Sequence, residues 1–209
     1  MRNVTDRTSN PFGMQPPCDR FVPGYGDANA HFHVIGDHPG VHGGADSGVP
    51  FTDCPAGERL QEALVAAGLI DRAGAPPTVN RTFLSYLYAC VPPEGTAPSD
   101  DDYASLEPMF DAELRAITAH VLLPVGERPT RYVLENYTAR SPTVDLDSLH
   151  ATEVLGSGFL VYPITDPTDW TSADQQALVS ALQHLRQSDY RREVDLGRFV
   201  ADENPYFVR

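Results

Sequence analysis

Two periods organise the hydrophobic and polar positions of this chain. Four short apolar runs, "AHFHVIG" (30–36), "TFLSYLYAC" (82–90), "HVLLPVG" (120–126) and "GFLVYPI" (158–164), have the length and composition of buried strands. Between and after them the period lengthens to that of a helix. In "GERLQEALVAAGL", Leu60, Ala63, Leu64 and Ala67 share one face, and Gly68 suits the helix end. "DDDYASLEPMFDAELRAIT" carries Tyr103, Leu106, Phe110, Leu114 and Ile117 at helical spacing, behind aspartates that suit a helix N-terminus. A short helix is expected near "TRYVLENY", and "SADQQALVSALQHLRQ" lines up Ala173, Ala177, Leu178, Ala181, Leu182 and Leu185. Strands alternating with helices predict an α/β fold: three α/β/α layers around a mainly parallel, four-stranded sheet. The domain is expected over residues 30–187, after an irregular leader rich in Pro and Gly (1–29) and before an ordered C-terminal tail (188–209).

That order also predicts where a ligand binds. In parallel α/β sheets, binding sites lie beyond the carboxyl ends of the strands. "GDHPG", "CVPPEG", "VGERP" and "TDPTDW" follow the four predicted strands, so one cleft lined by all four loops is expected.

Charge narrows the setting. The 209 residues carry 29 acidic and 15 basic side chains, a net charge of −14, and every basic residue is arginine. Such a surface suits concentrated salt, where like-charge repulsion is screened within about 3 Å at 1 M. A coding bias would also exchange lysine for arginine, but the excess of Asp and Glu favours salt adaptation. Three widely spaced cysteines, Cys18, Cys54 and Cys90, suggest no disulfide framework, and three free thiols are expected. There is no hydrophobic leader and no apolar run of membrane-spanning length. A soluble, cytoplasmic monomer without a membrane partner is the expectation.

Five motifs in order then give the chain a likeness. Gly36-Asp37-His38-Pro39-Gly40 and Gly48-Val49-Pro50-Phe51 follow the first strand, and Ser85-Tyr86-Leu87-Tyr88-Ala89-Cys90-Val91-Pro92-Pro93 closes the second. Val22-Pro23-Gly24-Tyr25-Gly26 precedes them, and Asp166-Pro167 follows the last strand. Over roughly residues 18–186 this resembles the uracil-DNA glycosylase superfamily, most closely its family 4 branch, which carries Gly-Glu-Ala-Pro-Gly, Gly-x-Pro-Phe, Thr-Asn-x-x-x-Cys-x-Pro-Pro, Val-Pro-Gly-x-Gly and His-Pro at these places. The resemblance implies a hydrolase of base excision repair that flips a damaged or deaminated base out of DNA and cleaves its N-glycosidic bond with water. Asp37 stands at the acidic position that places water, and Phe51 at the ring on which the base stacks. Tyr86 replaces the asparagine that reads the base edge, and Asp166 replaces a histidine that donates to the base oxygen. These exchanges imply altered or weak uracil specificity. Of the branch's four cluster-binding cysteines only Cys18 and Cys90 match, with Leu106 near the place of another, so no iron–sulfur cluster and no other cofactor is expected.

Each candidate has a plainer alternative. Asp37 could cap a turn, and Phe51 could be core. Gly36, Pro39 and Gly40 set backbone shape at the expected base site. His38, beside Asp37, could turn inward to supply the missing donor, or Asp37 and Asp166 could share a proton across a narrow pocket. Arg128 and Arg131 are candidates for DNA phosphate, or ordinary surface arginines. His31, His33, His38 and His42 could mark a metal-dependent hydrolase, but strand and loop histidines do not readily converge, and no metal is expected. The remaining rival is a noncatalytic nucleic-acid-binding module of the same fold.

Overall fold

The computed structural model describes residues 3–139, 145 and 147–191. Strand β1 (Tyr25–Gly26) leads into β2 (Phe32–Gly36), which ends at a one-turn helix, α1 (Pro39–His42). Helix α2 (Pro55–Ala67) follows, then a small hairpin of β3 (Ile70–Arg72) and β4 (Thr78–Val79), and β5 (Thr82–Tyr86). Helix α3 (Asp100–Ile117), β6 (Val121–Pro124), α4 (Glu127–Tyr137), β7 (Val154–Leu155), β8 (Leu160–Val161) and α5 (Ser172–Gln187) complete the described strands and α-helices.

The main sheet runs β1-β5-β2-β6-β8-β7, with β5, β2, β6 and β8 mutually parallel. These four are the predicted strands. The sheet nevertheless has six strands rather than four, because β1 and β7 add antiparallel edges. Each edge is two residues long, too short to display a period of two in the sequence.

Side-chain alternation divides the core into layers. Val34, Leu84, Leu123 and Leu160 pack with Leu60 and Leu64 of α2 and Leu178 and Leu182 of α5. Their neighbours Ile35, Leu122 and Val161 point the other way, onto Phe110 and Leu114 of α3 and Val133 and Leu134 of α4. Strands buried on both faces read as continuous apolar runs, which is why they are visible in the sequence. Ser99 and Thr171 cap α3 and α5 through reciprocal bonds with Asp102 and Asp174.

The segment before residue 30 is built into this body. Phe21 bridges to Cys90, Val22 donates to the Ala89 carbonyl at 2.9 Å, and β1 pairs with β5. Of the expected C-terminal tail, Tyr190 places its ring 5.5 Å from that of Phe32 and its hydroxyl 2.7 Å from His31 Nδ1. Residues 192–209 lie outside the described residues.

Candidate active site

Beyond the carboxyl ends of β2, β6 and β8 the surface opens into a cleft of about 1090 Å³. Asp37, Val41 and His42 line it from the first loop, Gly126, Arg128 and Arg131 from the turn into α4, and Thr165, Asp166 and Asp169 from the fourth loop. The loop after β5, expected here as well, does not line it. Its cysteine turns back to the N-terminal segment, so three of the four predicted loops form the cleft.

The first loop is held from its own ends. β2 stops at Gly36, where a Cβ would come within 2.7 Å of the rings of Phe51 and Tyr86. Pro39 opens α1, and His38 caps it, its Nδ1 accepting from the Gly40 amide at 3.1 Å. His38 is thereby used up in the turn, buried, and not among the cleft residues. Gly36, Pro39 and Gly40 likewise shape the loop without lining the cleft.

Asp37 does line it. Its carboxylate accepts a hydrogen bond from the Tyr103 hydroxyl of α3. Burial, followed by that bond to an acid, pushes the Tyr103 phenol well above its ordinary range, so the hydroxyl stays a donor. Arg128 lies 4.2 Å over the Tyr103 ring and 3.1 Å from Asp100, while Arg131 pairs with Glu127 at 2.6 Å. Both arginines therefore reach the cleft already engaged with carboxylates.

Asp166 faces Asp37's loop from across the cleft. His42 stands beside it, with Nε2 3.7 Å from a carboxylate oxygen, and Asp166 accepts from the Thr168 amide at 2.8 Å. His42 first, and the Thr168 amide against the opposing effect of burial, hold the Asp166 carboxyl well below the usual carboxylate range. Asp166 thus has His42 and the Thr168 amide as its partners, and both favour its anion. Arg59 of α2 fixes this turn by donating to the carbonyls of Pro167 and Thr168 at 3.1 Å.

Phe51 and Tyr86 sit behind the cleft rather than in it. Phe51 is 1% exposed and Tyr86 3%. The Tyr86 hydroxyl accepts from the Phe51 amide at 2.7 Å and lies 2.9 Å from the carbonyls of His42 and Gly43, to which it donates. The single proton is shared between those two carbonyls and the oxygen already accepts once, so this buried hydroxyl has no proton left to give a base edge. Phe51 holds a left-handed backbone (φ 59°), uncommon for a bulky residue. Gln61 locks that conformation by donating to the Phe51 carbonyl at 2.7 Å. Between these rings and the open cleft stands His42, 5.5 Å from Phe51 and 6.4 Å from Tyr86.

Sequence reasoning missed Tyr103, seen there only as one of a helix's apolar positions, and grouped His42 with the metal-like histidines. The histidines disperse instead: His31 meets Tyr190, His33 is buried against Ser85 at 2.7 Å, His38 caps α1 and His42 faces the cleft. Among the described residues, no group of three His, Cys, Asp or Glu side chains could hold a metal ion. The cysteine expectation is corrected too. Cys18 and Cys90 form a disulfide across 72 residues, leaving Cys54, whose sulfur caps α2. The chain was read with three free thiols because nothing in their spacing shows that the N-terminal segment folds back along the end of β5. The two sulfurs at cluster-like positions are bonded to each other, and Leu106 is a buried aliphatic. That donor set does not fit an iron–sulfur cluster.

Comparison with known proteins agrees with the geometry. Residues 23–190 match the family model described as the uracil DNA glycosylase superfamily. A type-5 uracil-DNA glycosylase of Mycobacterium leprae is 30% identical over 115 residues, 53% of this chain and 50% of the relative. A type-5 uracil-DNA glycosylase of Pyrobaculum aerophilum is 27% identical over 157 residues, 71% of this chain and 66% of the relative. A type-4 uracil-DNA glycosylase of Saccharolobus solfataricus is 23% identical over 148 residues, covering 70% and 64%. The chain spans about half the length of the first of these relatives, and both type-4 and type-5 enzymes are represented.

Proposed function

The chain belongs to the uracil-DNA glycosylase superfamily, and on that premise we propose that it is a DNA glycosylase whose preference for uracil is weakened. The reading is carried by Asp37, an acid held by Tyr103 at the edge of a cleft that opens beyond the parallel strands. In this reaction the C1′–N bond of a flipped nucleotide breaks and its electron pair leaves with the base. The Asp37 carboxylate orients a water whose oxygen bonds to C1′, and it stabilises the positive charge that develops on the sugar. The water's proton passes through Asp37 to solvent, and the departing base is protonated from solvent.

Weakened uracil preference follows from two occupied positions. Tyr86 is buried with its one proton committed inside the loop, and the ionised Asp166 cannot donate to a base oxygen. Arg128 and Arg131 supply the cationic edge for a phosphate backbone, within a cleft that is otherwise acidic.

A panel of fluorescent duplexes carrying uracil, hypoxanthine, xanthine or mismatched thymine, assayed in molar KCl, tests the proposal. Release of at least one base, abolished by Asp37→Ala, is the expected result. DNA binding with no release of any base would identify a noncatalytic module instead.

A further inference from the structure

The search for a donor to the departing base ends at His42. Its ring is 1% exposed, and its two nitrogens are in different situations. Nδ1 accepts a hydrogen bond from the Asp37 amide at 3.0 Å. An amide can only donate, so Nδ1 carries a lone pair and the proton of the neutral ring sits on Nε2. That Nε2 is buried and has no hydrogen-bond partner. Asp166 stands 3.7 Å away, beyond bonding distance. The ring is also held in place. It packs against Phe51 at 5.5 Å, and the Tyr86 hydroxyl bonds the carbonyls of His42 and Gly43. An unsatisfied buried N–H costs stability, and in the wall of a cleft a bound ligand can supply the missing acceptor.

We propose that His42 Nε2–H donates to a carbonyl oxygen of the departing base, taking over from the first loop the task that a histidine after the last strand performs in the family. The inference rests on the glycosylase reading. It turns Asp37 and His42 into a coupled pair: the backbone amide of the residue that places water fixes the tautomer of the residue that stabilises the leaving group. As the C1′–N bond breaks, the base gains the bonding electrons, and the N–H dipole aimed at its oxygen gains strength with the charge. Asp166, held anionic beside the same nitrogen, orients the proton-bearing edge and makes no contact with the base.

The experiment compares single-turnover release of uracil and of 5-fluorouracil from otherwise identical DNA by wild type and His42→Phe. Fluorine makes the base a better leaving group, which needs less help from a donor. Loss of the donor is expected to slow uracil release by about 10²-fold or more and 5-fluorouracil release much less. Equal slowing of both would mark His42 as structural and overturn the proposal, as would an unaffected rate. A second measurement is independent of turnover: nitrogen-15 NMR of wild type labelled at histidine, with the His42 signal assigned by its loss in His42→Phe. The expected result is the Nε2–H tautomer and a shift on adding free uracil. An Nδ1–H tautomer, or no shift, overturns the donor role. If the signal shifts but wild type releases neither base, the glycosylase reading fails while the donor assignment stands.

Discussion

The hydroxyl of Tyr86 lies 2.7 Å from the amide nitrogen of Phe51, and this one bond holds both residues behind the cleft. The position that the family resemblance matches to a base-reading asparagine is a strut of the loop that carries His42. Tyr86→Phe is therefore expected to lower stability by about 1–3 kcal/mol, the cost of leaving a buried donor unmet. It should not change the order in which bases are released. Thermal melting and the oligonucleotide panel check the two halves, and a reordered panel would make Tyr86 a reader.

A second consequence follows from Glu113 on α3. Burial raises its carboxyl to about 7, against a smaller opposing pull from Ser85. An acid whose folded value lies above its unfolded value near 4.5 favours the folded state in its protonated form. The associated stability is fully present below pH 4.5 and lost as pH rises toward 7. At 1.36 kcal/mol per unit, the loss is on the order of 3 kcal/mol. His33, against the same Ser85, is lowered to about 3 by burial and acts in the opposite sense, costing stability as pH falls below 6.5. Between pH 4.5 and 6.5 the two effects oppose each other, so Glu113→Gln is expected to remove the decline between about pH 6.5 and 7 and to leave stability rising with pH up to 6.5. Denaturant titrations across that range would show an unchanged slope if the assignment is wrong.

Thiol titration of unfolded, unreduced protein is expected to find one reactive thiol, Cys54, rising to three after reduction. Opening a 72-residue loop by Cys18→Ser is expected to cost about 4 kcal/mol on chain-entropy grounds. Three thiols without reduction would refute the cross-link.

Salt dependence probes the arginines. With Arg128 and Arg131 the arginines that line the cleft among the described residues, the fall of log K with log salt should have a slope no steeper than about −2. Arg128→Gln should make it shallower by roughly one. Binding measured from 0.2 to 2 M KCl checks this, and a slope several times steeper would place the DNA on another surface.

The sequence by itself determined the four central strands, the helices between them and the end of the sheet where the cleft opens. Each of those rests on local information: strands buried on both faces are continuous apolar runs, and helices repeat every 3.6 residues. It also placed Asp37, Asp166 and the two arginines in loops that follow parallel strands, where binding sites open, although the loop after β5 turns away. Only the tertiary structure decided which side chains face the cleft. Phe51 and Tyr86 are withdrawn by a hydrogen bond spanning 35 residues, Tyr103 reaches Asp37 across 66, and Cys18 finds Cys90 across 72. His38 and His42 sit four residues apart in one loop, yet one caps a helix and the other faces the cleft. The difference lies in the direction of a single helical turn, set by Pro39 and by the strand that delivers it, and no pattern of residue types along the chain encodes that direction.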